Sequence, residues 1–166
     1  MKLLLHACCG PCSLEPVRIL AEAGHDITIA YLNSNIAPAS EYEHRLKTLL
    51  EWAKSQNIPV IEGPYEPTTW QNSVKQTWDG TQENRADRCR ACYRIRLEEL
   101  ARYAHEHGFE GIGTTLTVSP YQYTDIINEE LERAAAPYEG LSAVFQDFRE
   151  FYPQATIRSR ELGMYR

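Results

Sequence analysis

Leu3-Leu4-Leu5-His6-Ala7-Cys8-Cys9-Gly10-Pro11-Cys12 is the stretch on which the fold turns. Its apolar half, 3–7, reads as a buried strand and gives way abruptly to a Gly-Pro step between cysteines. A helix through Gly24 should follow, capped by Ser13 or a neighbour, with Pro16 in its first turn and Gly24 as its stop. Val17, Leu20 and Ala21 supply its apolar stripe. Ile27 to Leu32 then reads as a second buried strand.

The same alternation continues outward. After a polar loop, 33–39, Ser40 and Glu43 match a capping box and start a helix to about Gln56, striped by Leu46, Leu49, Leu50 and Ala53. Residues 60–63 read as a third strand. Residues 64–88 lack a clear period and read as an irregular, partly helical insertion carrying Trp70 and Trp78. A long helix is predicted over 90–107, ended by Gly108. A fourth strand is predicted over 111–116, a loop over 117–122 and a helix over 122–135. Residues 142–145 suggest a fifth strand, and an aromatic, Arg-rich C-terminal segment begins at Asp147. Strands alternating with helices predict an α/β fold, a parallel sheet of about four to five strands with helices on both faces. The length, 166 residues, fits one domain over 1–166.

In such sheets ligands bind beyond the carboxyl ends of the strands. The first cysteines follow strand one, Asn33 and Asn35 follow strand two, and Thr114-Thr115-Leu116 ends strand four. These loops should converge on one rim.

Composition removes several classes. The chain is 43% hydrophobic and 24% charged, as globular domains are, which excludes a disordered or disulfide-scaffold chain. No apolar run approaches the ~20 residues of a membrane-spanning helix. Met1 to Cys8 superficially resembles a lipoprotein signal, but its apolar stretch is far shorter than the ~7–15 residues of a signal core. A cytoplasmic protein with no membrane partner is expected. Net charge is −6, so nothing global favours nucleic acid. Locally, Arg85, Arg88, Arg90, Arg94, Arg96 and Arg102 make a basic strip, either a solvated helix face with Glu98 and Glu99 or a contact for one defined RNA feature.

Five cysteines fall in two tight clusters, at 8, 9 and 12 and at 89 and 92. In a cytosolic chain such clusters point to metal or redox chemistry. Three readings compete. Cys9-Gly10-Pro11-Cys12 is the thioredoxin redox tetrapeptide, which makes a thiol–disulfide oxidoreductase one of them. Against it, thioredoxins place a β–α unit before the motif and usually a Trp directly ahead, where this chain has Cys8. Cys9-x-x-Cys12 with Cys89-x-x-Cys92 would also make a structural zinc site, as in a zinc-bound RNA-binding module. An iron–sulfur cluster needs four thiolates and leaves the fifth for a neighbouring metal. Spacing does not separate iron–sulfur from zinc.

Further motifs add a resemblance. His6 to Cys12, Cys89-Arg90-Ala91-Cys92-Tyr93 with Arg96-Leu97, Thr114-Thr115-Leu116, Ser119-Pro120-Tyr121-Gln122 and Asp147-Phe148-Arg149 together resemble the epoxyqueuosine reductase QueH family. The resemblance implies a Rossmann-like domain related to nucleotide α-hydrolases and an iron–sulfur centre, a 4Fe-4S cluster with an additional adjacent iron. It implies the reduction of epoxyqueuosine to queuosine in the tRNA anticodon wobble position. The partners it implies are tRNA carrying epoxyqueuosine and an unidentified electron donor. Family members usually continue past a Tyr-Arg such as Tyr165-Arg166 into a short tail with Cys-x-Cys. If those thiols relay electrons, this polypeptide is expected to bind the cluster yet turn over poorly.

Site residues follow from that chemistry. Cys89 and Cys92 lie three apart at a helix entry and can converge on one centre; Cys8 and Cys9 can join them if Gly10 and Pro11 turn the chain. The expected cluster ligands are therefore Cys8, Cys9, Cys89 and Cys92, with Cys12 placed for a neighbouring metal or the substrate. Epoxide deoxygenation needs two electrons and two protons, and Cys12 and Tyr121 are the candidate catalytic residues. Asn33, Asn35, Ser119 and Gln122 are candidates for binding a flat base and its diol. Arg88, Arg90 and Arg94 are candidates for the RNA backbone, since Arg forks suit phosphate. Trp70 and Trp78 would stack on unpaired bases or cover core. His6, ending an apolar strand, reads as a satisfied core histidine.

Overall fold

Leu3, Leu4 and Leu5 are fully buried because strand β1 (Lys2–His6) has helices on both of its faces. The computed structural model describes residues 1–76 and 85–165. In chain order the elements after β1 are α1 (Gly10–Glu22), β2 (Asp26–Tyr31), α2 (Ala39–Ser55), β3 (Val60–Glu62), α3 (Pro67–Lys75) and α4 (Arg85–Glu106). Then come β4 (Gly111–Thr114), α5 (Thr124–Ala135), β5 (Ser142–Ala143) and α6 (Tyr152–Glu161). Short 3-10 turns cover Leu116–Val118 and Arg149–Phe151.

All neighbouring strands are parallel, in the order β3-β2-β1-β4-β5. This is the predicted parallel α/β sheet, Rossmann-like in strand order. Side chains alternate across it with period two. Leu3 and Leu5 face Val17 and Leu20 of α1 and Tyr42, Leu46 and Leu49 of α2. Leu4 faces the other way, into a core with Ile112 of β4, Leu97, Leu100 and Ala104 of α4, and Ile127 and Leu131 of α5. The chain builds β2 and β3 on one side of β1, then crosses to place β4 and β5 on the other. The loops after β1 and β4 therefore part at the switch point, where open α/β sheets bind ligands.

Several boundaries depart from the expectations; β4 stops at Thr114 and β5 at Ala143, each two residues early. Helix α1 starts inside the cysteine motif: Cys9 is its extended N-cap residue, and Pro11 sits in the first turn. Ser13 is internal and donates to the Cys9 carbonyl at 2.7 Å, while Pro16 lies well inside the helix. The first turn goes to Pro11 because its fixed φ suits a helix start and its missing N–H costs nothing there. Helix α2 is capped by Pro38 without a side-chain hydrogen bond, so Ser40 and Glu43 form no capping box. Helix α4 begins at Arg85, so Cys89 and Cys92 lie within it rather than at its entry; Asp87 favours this early start by meeting the dipole in the first turn. The C-terminal segment forms α6, which packs on α1. Trp70 is buried on α3, as a core residue would be; Trp78 lies outside the described residues. No helix among the described residues is long and apolar enough to cross a membrane.

Candidate metal centre

The Cys8, Cys9 and Cys12 sulfurs lie within 4.8 Å of one another, at the switch point. The backbone explains it. Extended Cys9 turns directly into a helix, so Cys12 in the first turn comes back over Cys8 and Cys9. Cys12 is thus gathered with the other two rather than set apart from them, and among the described residues this is the one group of metal-ligand type. Unpaired N–H groups at the N-terminus of α1 favour thiolate there.

Three thiols this close share protons. Hydrogen bonds from Cys12 and Cys9 pull the Cys8 thiol well below its ordinary value, helped by the Arg96 charge against the upward push of burial. For Cys9 the bond with Cys12 acts downward, but Cys8 and burial outweigh it and push the thiol up to about 12. Cys12 is raised by its bonds with Cys8 and Cys9 and by burial. The group as a whole ionises once and then resists, unless a cation joins it. A soft cation is what such a set of thiols accommodates, so the three residues could hold a metal.

Cys89 and Cys92 stand outside that group, on α4. Cys92 is buried; Trp70 Nε1 donates to its sulfur at 3.3 Å and Arg96 Nη1 at 3.8 Å. Arg96 connects the two motifs. Its Nη2 donates to Asn33 Oδ1 at 2.8 Å and lies 3.2 Å from His6 Nε2. His6 is fully buried, with Nδ1 3.1 Å from Thr114 Oγ1 and Nε2 3.1 Å from Asn33 Oδ1. Burial, then the Arg96 charge, lowers its pKa to about 3, so the ring is neutral.

A cavity of about 220 Å³ opens beside the three thiols, lined also by Thr115, Ser119, Gln122 and Arg45. Thr115 Oγ1 is buried there without a partner. Gln122 accepts from Tyr93 Oη at 2.5 Å, which occupies its carbonyl and leaves its amide N–H groups for a ligand. Tyr93 is protonated at working pH, because burial pushes its phenol up to about 12. Arg45, which the sequence reading missed, is tied to Glu41 through Nε at 2.7 Å; its Nη fork has no partner among the described residues.

Ser119 and Gln122 line the thiol cavity. Asn33 does not. Its amide is spent inside the protein, on His6, Arg96 and the Ala7 carbonyl (2.8 Å from Nδ2). Asn35 is not a lining residue either, although its Oδ1 is buried and unpartnered. Tyr121 stands 76% exposed, edge-on to Tyr152, and outside the cavity lining. Of the RNA candidates, Arg90 and Arg94 are held by Glu129 and Glu130 of α5, while Arg88 lies over the Trp70 ring at 5.6 Å. Arg90 and Arg94 thus form an α4–α5 clamp, because the buried Glu130 carboxylate needs cations. A larger cavity, about 740 Å³, lies between α3, α4 and α5 and touches no cysteine.

Together these features define a Rossmann-like domain with a thiol-lined, metal-competent switch point. The solved structure of a predicted subunit of tRNA methyltransferase from Methanocaldococcus jannaschii shares the fold, at TM-score 0.59 and 12% identity over 96% of this chain and 76% of that one. Residues 3–166 match the family model described as Epoxyqueuosine reductase QueH. The chain belongs to this family. The Thermotoga maritima relative is 31% identical over 168 residues, covering 98% of this chain and 84% of its own. The Histophilus somni relative is 36% identical over 147 residues, 89% of this chain and 59% of its own, and the Haemophilus influenzae relative is 37% identical over 83% of this chain and 56% of its own. Each carries the name Epoxyqueuosine reductase QueH. The chain thus spans between half and two thirds of these latter two relatives.

Proposed function

We propose that this chain takes part in reducing epoxyqueuosine to queuosine in tRNA, acting in the cytoplasm with an iron–sulfur centre held by its cysteines. The observation that carries the reading is the set of three converging thiols beside a polar cavity, in a chain of the epoxyqueuosine reductase family. Cys8, Cys9, Cys89 and Cys92 are the proposed ligands of a 4Fe-4S cluster, and Cys12 is reserved for an adjacent iron or the substrate. What supports the reading is donor chemistry: all five cysteines are free thiols, and Cys92 receives N–H donors from Trp70 and Arg96 of the kind that tune cluster sulfurs.

The reaction takes an epoxide, two electrons and two protons to an alkene and water. The bound centre supplies single electrons drawn from an external donor. The chain's own residues bind and orient. Ser119 and the Gln122 amide offer hydrogen bonds at the cavity wall, and Tyr93 fixes the Gln122 side chain. Tyr121, on the exposed loop after β4, meets substrate only as the RNA docks. Arg88, Arg90 and Arg94 are the proposed contacts for the RNA backbone, Arg90 and Arg94 through ends that stay partly exposed.

Anaerobic purification followed by iron, zinc and acid-labile sulfide analysis tests the centre. Conversion of epoxyqueuosine in tRNA by the reconstituted chain with a chemical reductant tests the reaction. Stoichiometric zinc without sulfide would sink the iron–sulfur reading.

A further inference from the structure

We infer that Arg96 is the buried counter-cation of the thiolate centre, set between the two cysteine motifs to balance the charge of both. The inference rests on the proposal that both motifs serve one centre.

Arg96 is only 5% exposed, on the inward face of α4. A guanidinium does not lose its proton in a protein. Burying it is costly unless an anion lies beside it. Yet among the described residues no carboxylate pairs with it. The partners it has are the Asn33 amide at 2.8 Å, the His6 ring at 3.2 Å and the Cys92 sulfur at 3.8 Å. Its Nε is buried and bonds to nothing. Arg90 and Arg94, on the same helix but more exposed, behave differently, each meeting a glutamate.

None of these hydrogen-bonding partners is a carboxylate, so the guanidinium charge is balanced from elsewhere. The anions its surroundings can supply are sulfurs. Cys92 is already in contact, and His6, which Arg96 touches, ends the strand that delivers Cys8 and Cys9. A metal centre held by four thiolates is net negative, and that charge would complete the pocket. The geometry also assigns an electronic consequence. A fixed positive charge beside the centre favours the state with one more electron, so Arg96 raises its reduction potential. Arg96 touches neither the cavity lining nor substrate; it is a positioning and charge-balancing residue.

Arg96→Met and Arg96→Lys in the full chain test this. Melting of the metal-free variants beside metal-free wild type measures separately what Arg96 contributes to the fold through Asn33. After anaerobic reconstitution with iron and sulfide, Arg96→Met should hold iron about 10–100-fold more weakly against a chelator. Its remaining centre should be reduced at a lower potential, with Arg96→Lys close to wild type. Equal retention and potential in Arg96→Met and wild type would overturn the inference, as would Arg96→Lys falling as far as Arg96→Met. If Arg96→Met does not fold, Arg96→Gln is compared with Arg96→Lys on the same readouts. Should wild type take up no iron and sulfide but bind cobalt(II) with a thiolate charge-transfer band, the iron–sulfur reading fails. The same variants titrated with cobalt(II) then decide the role of Arg96. No thiolate–metal band with either metal overturns both.

Discussion

Arg94 of α4 and Glu130 of α5 form a two-point pair, Nε to Oε2 at 2.9 Å and Nη2 to Oε1 at 2.8 Å. The Glu130 side chain is wholly buried, and Arg90 reaches it as well, at 3.0 Å. Helix α4 carries Cys89 and Cys92, so this clamp also fixes where the second cysteine motif stands. Glu130→Ala should therefore cost about 2–3 kcal/mol, below the full cost of breaking a buried pair because the arginine ends reach water. Urea unfolding of the metal-free chain checks it.

The same clamp separates the arginines in RNA binding. Arg88→Ala should weaken tRNA binding and reduce its log–log salt slope by about 0.7–0.9, the loss of one phosphate contact. Arg90→Ala and Arg94→Ala should act first on stability. Binding measured at several salt concentrations, beside melting curves, distinguishes the two effects. An unchanged slope for Arg88→Ala would mean that the strip contributes no phosphate contact there.

Acid should loosen both ends of the domain. Burial pushes the Glu130 carboxyl up, but Arg94 and Arg90 outweigh it and hold it below its ordinary value. Glu15 behaves alike, burial being outweighed by Arg158 of α6 and Arg18. A carboxyl with a depressed folded pKa contributes its full stability above the unfolded value of about 4.3, and loses it as pH falls through the lower folded value. Unfolding midpoints should therefore fall below that pH, and the fall should flatten in a Glu15→Gln, Glu130→Gln double variant.

Alanine substitutions sort the thiols. Cys8→Ala, Cys9→Ala, Cys89→Ala and Cys92→Ala should each abolish sulfide binding, while Cys12→Ala keeps the visible chromophore and loses epoxide reduction. Loss of the chromophore in Cys12→Ala with its retention in Cys8→Ala would reverse their roles. That outcome has a structural basis, since Cys12 converges with the other two.

Tyr93→Phe removes the proton that occupies Gln122 Oε1 and frees the amide to turn. The expected effect is a rise in KM larger than the fall in kcat, because the role proposed for Gln122 is binding rather than reaction. As burial keeps Tyr93 protonated, the alkaline limb of the activity profile should be the same in both proteins.

Local rules were enough for the alternation of strands and helices, the parallel sheet and the rim where Cys8 to Cys12 meet Ser119 and Gln122. Each of those depends on short-range periodicity or on a loop directly following a strand. The helix starts at Gly10 and Arg85 were harder, because fixed proline φ and first-turn charge compete with side-chain capping patterns that look equally good in sequence. Asn33 looked like a rim residue by position, yet a buried histidine and a buried arginine both needed its oxygen. Arg90 and Arg94 looked solvated, yet Glu130 sits 40 and 36 residues further on and is buried beneath them. His6 and Arg96 are 90 residues apart. The sequence by itself determined which elements form and which loops gather at the switch point, since period and chain order govern both. Which polar groups face the cavity and which are spent inside was decided by the tertiary structure, because a buried charge or amide must find its partner wherever packing has placed one.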